Sequence, residues 1–157
     1  MFVHQLDPVF LHLGPLSIRY YGIAYAAGFL FAYLFLRRAM KKHRLALSPA
    51  LLDSLLLHLI MGVVVGARLG HVLFYELSYY IHHPFATLFL WQGGLSFHGG
   101  LIGGAIALFL FCRRTKISFL ALADILVLPT SLALGFGRIA NFINGELYGI
   151  PTTLPWG

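Results

Sequence analysis

The sequence has 157 residues, 59% of them hydrophobic and 10% charged, with a mean hydropathy of +0.83 and a formal charge of +6. Soluble domains run at about 45–50% apolar and about 25% charged, so neither a compact soluble domain nor a disordered chain fits. The basic balance does not indicate nucleic acid: Arg37, Arg38, Lys41, Lys42 and Arg44, and later Arg113, Arg114 and Lys116, lie between long apolar runs, as cytoplasmic loop residues do.

The predicted fold is an all-α integral membrane protein, a bundle of about four transmembrane helices in one membrane-embedded domain over 1–157. The N-terminal stretch lacks a cationic region, and Asp7 and Pro8 interrupt it, so it does not read as a cleavable signal peptide. The first span is Ile18–Leu36, stopped by Arg37 and Arg38. The second is Leu51–Tyr75 and carries Asp53, His58, Arg68 and His71. The third is Phe89–Cys112, with His98 as its ionisable side chain apart from the cysteine. The fourth is Ile117–Ile143, with Asp124, Pro129 and Arg138. Each reaches the ~20 residues that a bilayer requires. The loops after spans one and three are basic, whereas the stretch before Ile18 and the Ser78–Thr87 loop hold no Lys or Arg. The positive-inside rule therefore predicts a periplasmic N-terminus. Trp91, Tyr79 and Tyr80 suit an outer aromatic belt. Cys112 is the single cysteine, so no intrachain disulfide forms.

Gly62, Gly66 and Gly70 recur every fourth residue, as do Gly99 with Gly103 and Gly100 with Gly104. That spacing lets helix backbones approach closely in lipid. Gly93 and Gly94 are candidates to break the helix before His98.

On straight helices rising 1.5 Å per residue, Tyr21 lies about 5 Å inside span one, Arg68 about 9–10 Å from the outer end of span two, His98 about 10 Å past Trp91, and Arg138 about 8 Å before Ile143. Four spans thus bring polar side chains to one depth in the outer half of the bilayer. Charges there are costly and face a cavity or a partner. Glu76 and Glu146 are the outer acids available to pair with Arg68 and Arg138. The alternative is an anion site, since guanidinium forks match phosphate oxygens at headgroup depth. His98 is either a helix-packing hydrogen bonder or a proton acceptor near neutral pH. Neither HxxxH nor HExxH occurs, so no metal site is expected. The densest polar stretch is Gly137–Gly149, where Arg138 and Asn141 share a helix face.

That stretch resembles the signature of the bacterial prolipoprotein diacylglyceryl transferase family. Arg19-Tyr20-Tyr21-Gly22, Gly66-Ala67-Arg68-Leu69-Gly70 and Gly93-Gly94-Leu95-Ser96-Phe97-His98-Gly99-Gly100 agree with it in order and spacing, as do Asp7-Pro8-Val9 and Leu13-Gly14-Pro15. The resemblance implies an inner-membrane, multi-pass enzyme that works at the periplasmic leaflet. It would move the diacylglyceryl group of phosphatidylglycerol to the lipobox cysteine of a prolipoprotein signal peptide, forming a thioether. It implies His98 and Tyr21 as catalytic, and Arg138, Asn141, Glu146 and Gly149 as substrate-binding; Arg68 joins these through the depth argument. Neither cofactor nor metal is required, and the partners are membrane lipid and prolipoprotein. The family also carries further spans, a small periplasmic head and another functional arginine downstream. This sequence ends at Gly157, just after the signature, and so resembles the family's N-terminal half. The alternative to an active transferase is an inactive fragment or a lipid-binding remnant. A small anion channel is a second rival, to which the Asn and Glu of the signature are ill suited.

Overall fold

The computed structural model describes residues 6–7, 9–13, 16–41 and 47–146. It is helical apart from a short hairpin and the turns before the fourth helix. Strands β1 (Val9–Leu13) and β2 (Leu16–Arg19) pair antiparallel, from Val9 opposite Arg19 to Leu13 opposite Leu16, with a bulge between Val9 and Leu11. Five helices follow: α1 (Tyr20–Lys41), α2 (Pro49–Phe74), α3 (Leu77–His82), α4 (Phe97–Thr115) and α5 (Phe119–Asn144).

Serines set several helix starts. Ser48 caps α2, its Oγ accepting the Leu51 amide at 3.2 Å, and Pro49 follows in the first helical position, where its missing N–H costs nothing. The Ser96 Oγ accepts the Gly99 amide at 3.2 Å and starts α4. The Ser118 Oγ accepts the Ala121 amide at 3.4 Å at the start of α5. Pro129 lies inside α5 and removes one ladder bond without ending the helix.

The hairpin corrects one boundary. Span one was expected to open at Ile18, but residues 16–19 are strand and the helix opens at Tyr20. A larger correction concerns span three. Residues 84–88 and 90–92 form 3-10 turns, Gly93 and Gly94 take φ of +85° and +75°, and the helix starts only at Phe97. The two glycines occupy the left-handed region that a side chain would strain. The Ser78–Thr87 loop is partly helical as well, since it contains most of α3.

Three helices are long and apolar enough to cross a membrane: 22–41 of α1, α2 and α5. The 19-residue α4 is outside that group; it carries His98 near one end and Arg113 and Arg114 in its last turn. The architecture is that of an all-α membrane protein, with three such spans among the described residues against the four expected.

The chain divides into two compact units: residues 1–35 with 126–157, and residues 36–125. In the larger unit α2 packs on α4 through glycine. A methyl group at Gly62 would lie 2.6 Å from the Gly103 carbonyl oxygen, and one at Gly70 would lie 2.7 Å from the Gly99 Cα. The helices therefore touch backbone to backbone, as the four-residue glycine spacing predicts. A neighbouring face of α2 carries Leu57, Met61, Val65, Leu69 and Leu73, all exposed, a stripe suited to lipid. In the smaller unit, Tyr20, Ile23, Ala24 and Ala27 of α1 and Phe136, Ile139, Ala140 and Ile143 of α5 line an open apolar groove of about 210 Å³. Each set follows the i, i+3, i+4, i+7 pattern of one helix face.

Candidate functional site

Two arginines dominate the polar chemistry, and they have opposite surroundings. Arg68 stands in α2, 3% exposed. Its Nε donates to the Thr87 carbonyl at 2.9 Å. Nη1 donates to the carbonyls of Gly93 at 2.6 Å and Gly94 at 3.1 Å. Nη2 donates to those of Ala86 at 2.6 Å and Phe89 at 3.3 Å. A guanidinium has five N–H donors, so all of its capacity is used. Its Cζ also lies 5.2 Å from the centre of the Tyr80 ring. Tyr80 is 8% exposed and does not serve an outer aromatic belt, whereas Trp91 is 78% exposed.

This corrects the expected pairing of Arg68 with Glu76. Arg68 was placed in an anion site or in a pair with Glu76. Glu76 lies instead 3.8 Å from Nε2 of His71. Backbone carbonyls surround the Arg68 charge, one of the recognised ways to hold a cation at membrane depth. Every Arg68 N–H has a carbonyl acceptor in this arrangement.

The same contacts lead to His98. The Ser96 amide donates to the Ala67 carbonyl at 2.9 Å, one residue from Arg68. Ser96 then caps α4, and His98 is that helix's second residue. Its exposed ring lies 5.5 Å from that of Phe97, edge to face. The depth assigned to His98 assumed an unbroken helix from Trp91; the chain is not regular helix between Gln92 and Phe97. The larger unit thus holds His98 and Arg68 together.

Arg138 belongs to the smaller unit. It lies six residues before the end of α5, about 9 Å along the axis. It is exposed, and among the described residues it has no hydrogen-bond or ion-pair partner. Asn141, one turn on, is 7% exposed, and its carbonyl accepts the Glu146 amide at 2.9 Å. Glu146 was the expected partner of Arg138; its Oε1 instead accepts from the Asn144 Nδ2 at 3.3 Å. Arg138 and Asn141 lie on a different face of α5 from the groove-lining Phe136, Ile139, Ala140 and Ile143. Tyr21 is in the first turn of α1, in the same unit. Gly149 lies outside the described residues. Chemically, the end of α5 carries one guanidinium without a partner among the described residues, a buried amide that is already engaged, and a carboxylate bonded to Asn144. Among the described residues no three His, Cys, Asp or Glu side chains come together to hold a metal ion.

Sequence reasoning missed the carbonyl cradle around Arg68. Carbonyl acceptors have no residue signature. The two glycines were the available signal, since a backbone that offers both carbonyls to one side chain needs unusual dihedrals.

A family model described as prolipoprotein diacylglyceryl transferase matches residues 8–157. The chain belongs to that family. It is 48% identical over 159 residues to the phosphatidylglycerol–prolipoprotein diacylglyceryl transferase of Nitrosomonas europaea, covering 100% of this chain and 57% of the relative. The like-named protein of Geobacter sulfurreducens is 48% identical over 153 residues, covering 98% of this chain and 59% of the relative. That of Desulfotalea psychrophila is 45% identical over 152 residues, covering 97% and 56%. The chain therefore spans less than three-fifths of the length of these curated relatives. The match includes Tyr21, Arg68, His98, Arg138, Asn141, Glu146 and Gly149, so each candidate position lies within the transferase family's region.

Proposed function

We propose that this chain carries the lipid-phosphate grip and the proton acceptor of a phosphatidylglycerol–prolipoprotein diacylglyceryl transferase. The supporting observation is the guanidinium of Arg138, exposed and without a partner among the described residues, inside a family match that runs from residue 8 to residue 157. A free guanidinium on an apolar helix is expensive in lipid unless an anion or water meets it. The phosphate of an anionic lipid is at the right depth to do so.

In this reading Arg138 grips the phosphate of phosphatidylglycerol, and Asn141 and Glu146 hold the glycerol hydroxyls. The lipobox cysteine thiol gives its proton to His98, and Tyr21 serves as a hydroxyl donor. The thiolate sulfur attacks the glyceryl carbon. A carbon–sulfur bond forms as the carbon–oxygen bond to phosphate breaks. Glycerol phosphate leaves with one more negative charge than the diester, and Arg138 stabilises it. In this reading the chemistry stands at the periplasmic leaflet of the inner membrane with the N-terminus outside, a topology that the charge pattern supports.

The test is thioether formation by the purified 157-residue chain in nanodiscs containing phosphatidylglycerol, with a lipobox peptide and mass-spectrometric detection. Mass gain on the peptide cysteine is the expected result. No product, with phosphatidylglycerol still bound through Arg138, would assign the chain to lipid binding without transfer. Phosphatidylglycerol-independent ion flux would assign it to a channel.

A further inference from the structure

Arg68 touches no reacting atom in the reaction proposed above, yet its environment is the most elaborate polar construction among the described residues. One side chain gathers the carbonyls of Ala86, Thr87, Phe89, Gly93 and Gly94. These residues belong to the segment that joins α3 to α4. The gathered segment ends two residues before Ser96, whose amide is pinned to Ala67 and whose hydroxyl starts α4. His98 stands two residues beyond Ser96. From Arg68 to His98 the path is therefore one hydrogen bond to Gly94 followed by four residues of backbone.

We infer that Arg68 is a positioning residue for His98: by holding these carbonyls it fixes the backbone from which α4 starts, and so sets where the imidazole stands, without touching substrate phosphate. The inference rests on the function proposed above. Three features support it. All five N–H groups are committed, which leaves no fork for an anion. The charge is met by carbonyl dipoles and forms no ion pair among the described residues, so the contacts run to main chain and constrain backbone shape. Gly93 and Gly94 take positive φ, which glycine adopts without strain, and the guanidinium holds both of their carbonyls. Misplacement of a catalytic group by about 1 Å is enough to slow a reaction by about a hundredfold.

The test compares Arg68→Lys and Gly94→Ala with the unaltered chain in phosphatidylglycerol nanodiscs. An ammonium has three donors and no fork, and cannot span five carbonyls. An alanine at residue 94 keeps the arginine but puts a methyl 2.5 Å from the His71 Nε2 and 3.0 Å from the Arg68 Nη1, at a φ of +75°, so the loop and the guanidinium must shift apart. Both variants are expected to lower kcat by roughly tenfold to a hundredfold and to leave KM for phosphatidylglycerol within about twofold. In a His98→Gln background either change is expected to cost nothing further, because the group being positioned is gone. A rise in KM for Arg68→Lys, or losses that multiply with His98→Gln, would overturn the inference. If Arg68→Lys does not fold, Gly94→Ala carries the comparison. If the unaltered chain forms no thioether, the proposed function has failed and amide hydrogen exchange reads the clamp by itself. Faster exchange in Arg68→Lys confined to residues 86–99, with residues 103–111 unchanged, supports it; unchanged exchange throughout overturns it.

Discussion

The two arginines that sequence reasoning treated alike have different employments. Arg68, in the larger unit, is buried and spends every donor on main-chain oxygens. Arg138, in the smaller unit, is exposed and has no partner among the described residues. Both stand in apolar helices and both lie in the family match. Depth in the bilayer alone does not tell a binding arginine from a structural one. What distinguishes them is whether the neighbouring backbone folds over the guanidinium.

The largest effect is expected from removing the buried charge. Arg68→Met leaves carbonyls unsatisfied in a low-dielectric interior, and a loss of about 3–5 kcal/mol is expected in an unfolding titration. Arg138→Gln breaks the comparison from the other side. It should leave that titration unchanged and lower thioether formation by about 10²–10³-fold, the scale of losing one stabiliser of developing charge. Equal destabilisation by both changes would erase the distinction.

Glycine gives a smaller version of the same contrast. At Gly66 an added methyl would meet the Gly99 carbonyl and lie 2.7 Å from the Gly103 Cα, so Gly66→Ala should cost about 1–3 kcal/mol by forcing α2 from α4. At Gly135 nothing lies within 4 Å, and Gly135→Ala should be neutral or stabilise α5 by up to ~1 kcal/mol. Thermal unfolding in nanodiscs measures both. The smallest effect belongs to Lys41→Ala, an exposed residue in the last turn of α1, with a change within about 0.5 kcal/mol in stability and thioether formation close to that of the unaltered chain.

Much of this could be read from residues. The apolar runs announced membrane helices, and the four-residue spacing of Gly62, Gly66 and Gly70 announced the tight α2–α4 contact. The helix starts are legible in the serines: Ser48-Pro49, Ser96 and Ser118 are ordinary capping signals, and Ser96 marks Phe97 rather than Phe89 as the start of α4. The hairpin was hidden because Val9–Leu13 and Leu16–Arg19 are short and apolar, and so resemble the helix that follows. The role of Arg68 was illegible for a deeper reason. Its partners are carbonyls, which every residue has, and only the path of the chain decides which of them converge. Arg138, Asn141 and Glu146 were recognisable as a polar group at the end of an apolar helix, but the local bonding of Glu146 to Asn144 was not.

The most direct test measures ¹⁵N–³¹P dipolar dephasing between arginine guanidinium nitrogens and the phosphorus of phosphatidylglycerol in vesicles containing the chain. A guanidinium–phosphate contact that persists in Arg68→Lys and disappears in Arg138→Gln is the expected result. A contact that survives Arg138→Gln and is lost in Arg68→Lys would contradict the assignment of the lipid grip to residue 138.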